Sequence, residues 1–152
     1  MSGGAEVGRE CKLYYNAGTF GSPSWTLIAR AIDVTYRMPA ERGNVSSRVS
    51  IWKMEVKAMI GLELDFGYRY RALVSDTVFD ALRAAAMDTT KMEFAICDTA
   101  IATTGAEYLR ATYQFTTDHN QPLTDGVSNQ FNCFLTSEED SGTLREPAWV
   151  TV

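Results

Sequence analysis

A mainly β protein is predicted, an antiparallel β-sandwich or small barrel with one flanking α-helix. Two observations predict it. Apolar and polar residues alternate through residues 51–60 and again through 62–71. Period two over that length means a sheet with one covered face and one wet face. The period becomes helical only once, where Val74, Val78, Phe79 and Leu82 precede an alanine-rich run, with Ser75 or Asp76 in place to cap the first turn. A twisted sheet with a single helix laid on its apolar side follows.

Taken in order, residues 1–12 are polar and glycine-rich and read as a flexible arm. Residues 13–152 read as one domain. After a glycine- and proline-punctuated loop at 16–24, residues 25–38 form a strand or two, with Ile32, Val34, Tyr36 and Met38 alternating against Asp33, Thr35 and Arg37. Residues 39–48 form a loop that projects from the body as a hairpin tip, because it joins two long strands. The strand 51–60 puts Trp52, Met54, Val56, Ala58 and Ile60 on its apolar side; the strand 62–71 puts Leu62, Leu64, Phe66, Tyr68 and Tyr70 there. Beyond the helix, strands are expected at 91–98, 108–118, 127–136 and 148–152. Residues 119–126 are expected to turn, and 137–147 to be an acidic polar segment.

The chemistry of a reactive site is missing from the pattern. His119 is the single histidine and falls in an expected exposed turn. No serine sits in a GxSxG elbow, and there is no Walker loop or GxGxxG. Glu138, Glu139 and Asp140 read as a solvated loop. Cys11, Cys97 and Cys133 are odd in number, widely spaced and without a CxxC, which disfavours both a disulfide framework and a zinc site and suits a reducing compartment. No apolar run approaches the roughly 18 residues of a membrane span, and residues 1–10 lack the apolar stretch of a secretory signal. No catalytic residue, metal ligand or cofactor is assigned, and an enzyme is not expected. The net charge of −5 argues against a protein that grips nucleic-acid phosphates.

The strands 108–118 and 127–136 present Thr112, Gln114, Thr116, Ser128, Gln130 and Asn132 on one side, uncharged hydrogen-bonding residues throughout. Two readings stand side by side: a solvated sheet face, or a surface that touches a polyanion without holding it, since clustered Lys and Arg would bind each phosphate. Arg110 is the exception in these strands.

Several segments, in their order, resemble the major tail tube proteins of long-tailed bacteriophages. Residues Ala17, Gly18 and Thr19, then Gly21, Ser22, Pro23, Ser24, Trp25 and Thr26, then Ile32, Asp33, Val34 and Thr35 are similar to that family's glycine-rich opening, its Trp-containing strand and its I/V-D-V-T strand. Val45, Arg48 and Trp52 resemble the segment after its long loop, 62–66 and 76–86 its next strand and short helix, and 147–152 its C-terminus. The resemblance implies the phage tail tube fold and a structural role. Six copies would close into a ring, each giving four strands to a continuous barrel, and rings would stack into a tube conducting DNA at genome ejection. It implies a homo-hexamer in the virion tail, assembled in the host cytoplasm. A tape measure protein and later DNA would occupy the lumen, tail terminator and tail tip proteins would bind the ends, and no membrane would be involved. In that frame Thr112, Gln114, Thr116, Ser128, Gln130 and Asn132 face the lumen, and Glu41, Arg42, Asn44 and Arg48 make contacts between rings. The alternatives are the inner tube of a contractile tail or a type VI-like secretion tube and, from another class, a monomeric β-sandwich binding module using Tyr14, Tyr15 and Phe20.

Overall fold

The computed structural model describes residues 12–69, 75–120, 128–136, 139–140 and 143–152. The strands are β1 (Lys12–Asn16), β2 (Trp25–Leu27), β3 (Ala31–Arg37), β4 (Ala40–Asn44), β5 (Glu55–Ile60) and β6 (Glu63–Arg69). Helix α1 (Thr77–Met87) follows, and then β7 (Met92–Cys97), β8 (Glu107–Asn120), β9 (Ser128–Leu135), β10 (Glu139–Asp140), β11 (Thr143–Leu144) and β12 (Ala148–Thr151).

The main sheet runs β2-β1-β7-β8-β9-β6-β3, with β12 also on β8, and every pairing is antiparallel. Strand β8 is shared between its two halves. Residues 108–113 pair with β7, and 113–120 pair with β9. β12 takes the edge of β8 at 107–110, which β9 does not reach.

The sheet folds over on itself. The rings of Phe66 on β6 and Phe94 on β7 lie 5.8 Å apart. Two strands separate them in the sheet order, so a flat sheet would hold them about 14 Å apart at ~4.8 Å per strand. Phe115 and Phe131 complete a closed quartet, with centroid distances of 5.7 Å (Phe94–Phe115), 5.8 Å (Phe115–Phe131) and 5.2 Å (Phe66–Phe131). Such offset and edge contacts add ~1 kcal/mol per pair to simple burial. Leu64, Tyr113 and Leu82 are fully buried around them.

Helix α1 closes the core with Phe79, Leu82 and Ala85. Asp76 is the N-cap, its Oδ1 accepting from the Phe79 amide at 3.1 Å. Its Oδ2 accepts from the Tyr68 hydroxyl, and Arg30 approaches at 3.5 Å. One carboxylate therefore fixes the helix start to β6.

The structure alters five expectations. Residues 139–140, expected in a solvated loop, form β10 and pair with β11. Residues 40–44 are a strand, not a loop, and pair with β5 in a separate two-stranded sheet. Residues 51–54 are not a strand. Serines divert the backbone there, with Ser46 Oγ accepting from the Met54 amide (2.9 Å) and Ser50 Oγ from the Trp52 amide (3.1 Å). The alternation of β3 slips one phase. The register shifts between Ile32 and Thr35, Asp33 takes φ 51°, and Ile32 thereby lies opposite Gly67 while Tyr36 lies opposite Leu64. Gly67 is required by that approach, since a Cβ there would come within 2.9 Å of Ile32 Cγ1. His119 belongs to β8, not to a turn, with Nδ1 2.9 Å from Asn129 Oδ1. Lys12 begins β1, and residues 1–11, Tyr70, Arg71, Glu138 and the expected turn at 121–126 lie outside the described residues.

Candidate functional site

Two sheet faces stand open among the described residues. The first belongs to the four strands β8, β9, β6 and β3. The inward residues of β8, β9 and β6 fill the core, Val34 and Tyr36 of β3 stay partly exposed, and the outward residues of all four line up by register into transverse rows. Gln114, Phe134, Glu63 and Arg37 form one row, and Thr116, Asn132, Asp65 and Thr35 the next. Asp118, Gln130, Gly67 and Ile32 form the third. Arg69 begins a fourth, opposite Ser128, whose side chain lies outside the described residues. Gln114, Thr116, Gln130 and Asn132 thus share a face, as the alternation predicts. Thr112 has the same parity but is buried, opposite Glu93.

The face is wider and more charged than the two polar strands alone suggest. β6 and β3 add Glu63, Asp65, Arg37 and Arg69, and β8 adds Asp118. Arg37 is held by Glu63 at 3.1 Å and by Asp65 at 2.8 Å, and those hydrogen bonds, Glu63 first, raise its pKa further. Asn132 donates to Asp118 at 3.3 Å and Gln114 to the Thr89 carbonyl at 2.7 Å. Three acids stand against two arginines, and no lysine occupies a row. Sequence alternation gives the side each of these residues takes. Only the strand order brings them together.

Arg110, the expected exception, does not reach this face. It pairs with Glu93 through two contacts of 2.8 and 2.9 Å, with both side chains largely buried. Its guanidinium stacks 4.1 Å over Phe20, with Arg145 at 4.1 Å from the same ring. Tyr14 is buried, its hydroxyl accepting from the Ile101 amide at 3.2 Å. Two of the three aromatics that a binding module would offer, Tyr14 and Phe20, are therefore engaged within the chain.

The second open face is the β4–β5 hairpin. Val56 and Ile60 are 47% and 61% exposed, and at its tip Trp52 is 73%, Val49 96% and Ile51 97% exposed. The apolar side expected to be covered along 51–60 stays largely exposed, with no cover among the described residues. Glu41, Arg42, Asn44 and Arg48 are all exposed on this hairpin, and Arg42 pairs with Glu55 at 3.1 Å. The projecting element is longer than the predicted loop, and its tip is 45–54.

The four-stranded half-sheet has two free edges. Among the described residues β3 pairs only with β6, and residues 114–120 of β8 pair only with β9. The fold recurs in solved structures. The SPP1 tail tube matches with a TM-score of 0.73 at 8% identity, covering 96% of this chain and 79% of that one. The chain has the tail tube fold. A subunit from the tail of an empty gene transfer agent particle, refined with C6 symmetry, matches at 0.67 and 16% identity over 97% of this chain and 99% of that one. A chain of the anti-feeding prophage baseplate matches at 0.56 and 7% identity over 99% and 98%. No family model and no curated protein matches the sequence. Among the described residues no group of three metal-ligating side chains is present, and no helix is long and apolar enough to cross a membrane.

Proposed function

We propose that this protein is the building unit of a virion tail tube. Six copies close into a ring, each giving β8, β9, β6 and β3 to one barrel, and rings stack through the β4–β5 hairpin. The observation that carries the reading is the four-stranded sheet with two free edges in a chain of tail tube fold. Long free edges invite uncontrolled pairing, and joining β3 of one copy to β8 of the next removes them. The C6 symmetry of the gene transfer agent tail supports a six-fold ring.

In this reading the outward rows line the bore. Strands ~4.8 Å apart and tilted by ~40° occupy ~6.3 Å of circumference each, so six sets of four give a backbone diameter of about 48 Å and a bore of about 38 Å. A duplex roughly 20 Å across then travels ~9 Å from the wall, close to one Debye length at physiological salt. A slightly acidic wall whose Arg37 is already paired repels the passing phosphates weakly and holds none. Gln114, Thr116, Gln130 and Asn132 keep the wall wet. A tape measure protein fills the bore before DNA, and terminator and tip proteins close the ends.

The inner tube of a contractile apparatus is the second reading, favoured by the likeness to the anti-feeding prophage chain. Electron microscopy of the purified protein tests both. Hollow tubes with six-fold end views support the assignment, and a sheath around them in particles selects the second reading. Isolated globules at all concentrations contradict both.

A further inference from the structure

The hairpin tip needs a receiver, and the body carries a groove that matches it. The tip is apolar and cationic. Val49, Ile51 and Trp52 are the bare residues, and Arg48 and Lys53 are the only charges in 45–54. Lys53 lies 3.0 Å from Glu55, which Arg42 also holds, so one acid serves two bases and the tip stays positive. Exposed apolar clusters of this kind mark interaction sites, and Trp is among the residues that dominate binding energy.

The groove opens between β3 on one side and β7, β8 and β12 on the other, with a volume of about 620 Å³. That lies within the roughly 300–1,000 Å³ of clefts that enclose ligand-sized groups. Val34, Tyr36, Ile96 and Trp149 give it an apolar lining, and Tyr36 meets Trp149 edge-on at 6.4 Å. Its charges are Asp33, Asp98 and Glu107 against Lys12. A second groove of about 780 Å³ at the hairpin base carries Arg145 and Glu146, which cancel, and offers a cationic tip nothing to match. The tip is not seated in a groove of its own chain, since Val49 and Ile51 are almost fully exposed.

We propose that residues 45–54 of one copy dock into the acidic, aromatic-lined groove between β3 and β12 of a second copy. The apolar residues fill the lining, and Arg48 and Lys53 meet Asp33, Asp98 and Glu107. The proposal rests on the tube reading for the arrangement of copies and adds the receiving site.

Reciprocal charge exchange tests it. One variant carries Arg48→Glu and Lys53→Glu. The other carries Glu107→Lys and Asp33→Asn, asparagine being tolerated at the positive φ of that position. Each alone should need a roughly tenfold higher concentration to form tubes, which corresponds to about 1.4 kcal/mol for the two substitutions together. A one-to-one mixture should return to the wild-type threshold, because each tip then finds a groove of opposite sign. Tubes from either single variant at the wild-type threshold, or a mixture that fails to recover, overturn the proposal. A second readout does not need tubes. In a Cys11→Ser background, mixed Ile51→Cys and Val34→Cys chains should oxidise to a cross-linked dimer, whereas Met87→Cys with Val34→Cys should not. Cross-links without tubes keep the groove and sink the tube reading. Tubes without the 51–34 cross-link overturn the groove alone.

Discussion

Strands β5 and β6 are consecutive, similar in length and alike in alternation, yet they end in opposite surroundings. In β6, Leu64 and Phe66 are completely buried against β9, β3 and the phenylalanine quartet. In β5, Val56 and Ile60 alternate just as regularly and remain about half exposed. The difference lies in what each strand pairs with. β6 sits inside the main sheet, whereas among the described residues β5 pairs only with β4, and a two-stranded ribbon has no second layer of its own to cover it. Alternation states that a face is built to be covered. It does not state that the cover is part of the same chain.

Truncation breaks the comparison most sharply. Phe66→Ala should cost about 3–5 kcal/mol, the range for a fully buried phenylalanine, and lower the melting temperature steeply. Val56→Ala on the open ribbon should change stability by no more than ~0.5 kcal/mol. Equal losses would mean that the ribbon is packed against the body. The converse pair is Ile51→Ser with Trp52→Ser. This variant should melt like the wild type and fail to assemble by sedimentation velocity, so normal assembly would remove the hairpin from the interface.

A smaller effect is expected at the joint between β6 and α1. Burial pushes the Asp76 carboxyl up, but the Tyr68 hydroxyl, the Phe79 amide and the Arg30 charge outweigh it and hold its pKa below the ordinary value. Its stabilising contribution is thus complete above the unfolded-state value of about 4 and is lost as pH falls through the lower folded-state value. Asp76→Ala should cost about 2 kcal/mol at pH 7, from a lost cap and an orphaned Tyr68 hydroxyl. The gap to the wild type should narrow in melts below pH 4. A gap that widens with acid contradicts this arrangement.

The smallest structural effect belongs to the outward rows. Gln130→Lys, exposed opposite Gly67, should leave stability and tube length unchanged and slow genome ejection measurably. Unchanged ejection from intact tubes would separate these rows from the bore.

The same contrast explains what could be read from the sequence. The covered faces of β6, β7, β8 and β9 were legible because their partners share the pattern, and the helix cap was legible as Ser75 or Asp76, of which the structure selects Asp76. A projecting hairpin was legible but the place of its tip was not, because Ser46 and Ser50 break the backbone of 51–54 without breaking its apolar rhythm. The phase slip in β3 depends on Asp33 and on the missing side chain of Gly67, and neither announces itself locally. Gln114, Thr116, Gln130 and Asn132 could be placed on one face from alternation. Their acidic neighbours Glu63 and Asp65 could not be added without knowing that β6 lies beside β9.

Oxidative footprinting tests most directly whether copies of this chain supply the missing cover. Trp52, Met54 and Met59 are readily oxidised and exposed on the hairpin, and Met87 is an exposed reference on α1. On passing from dilute to assembled protein, the three hairpin residues should become strongly protected while Met87 stays reactive. Equal reactivity at all four in assembled protein would contradict the claim that the open ribbon is completed by another copy.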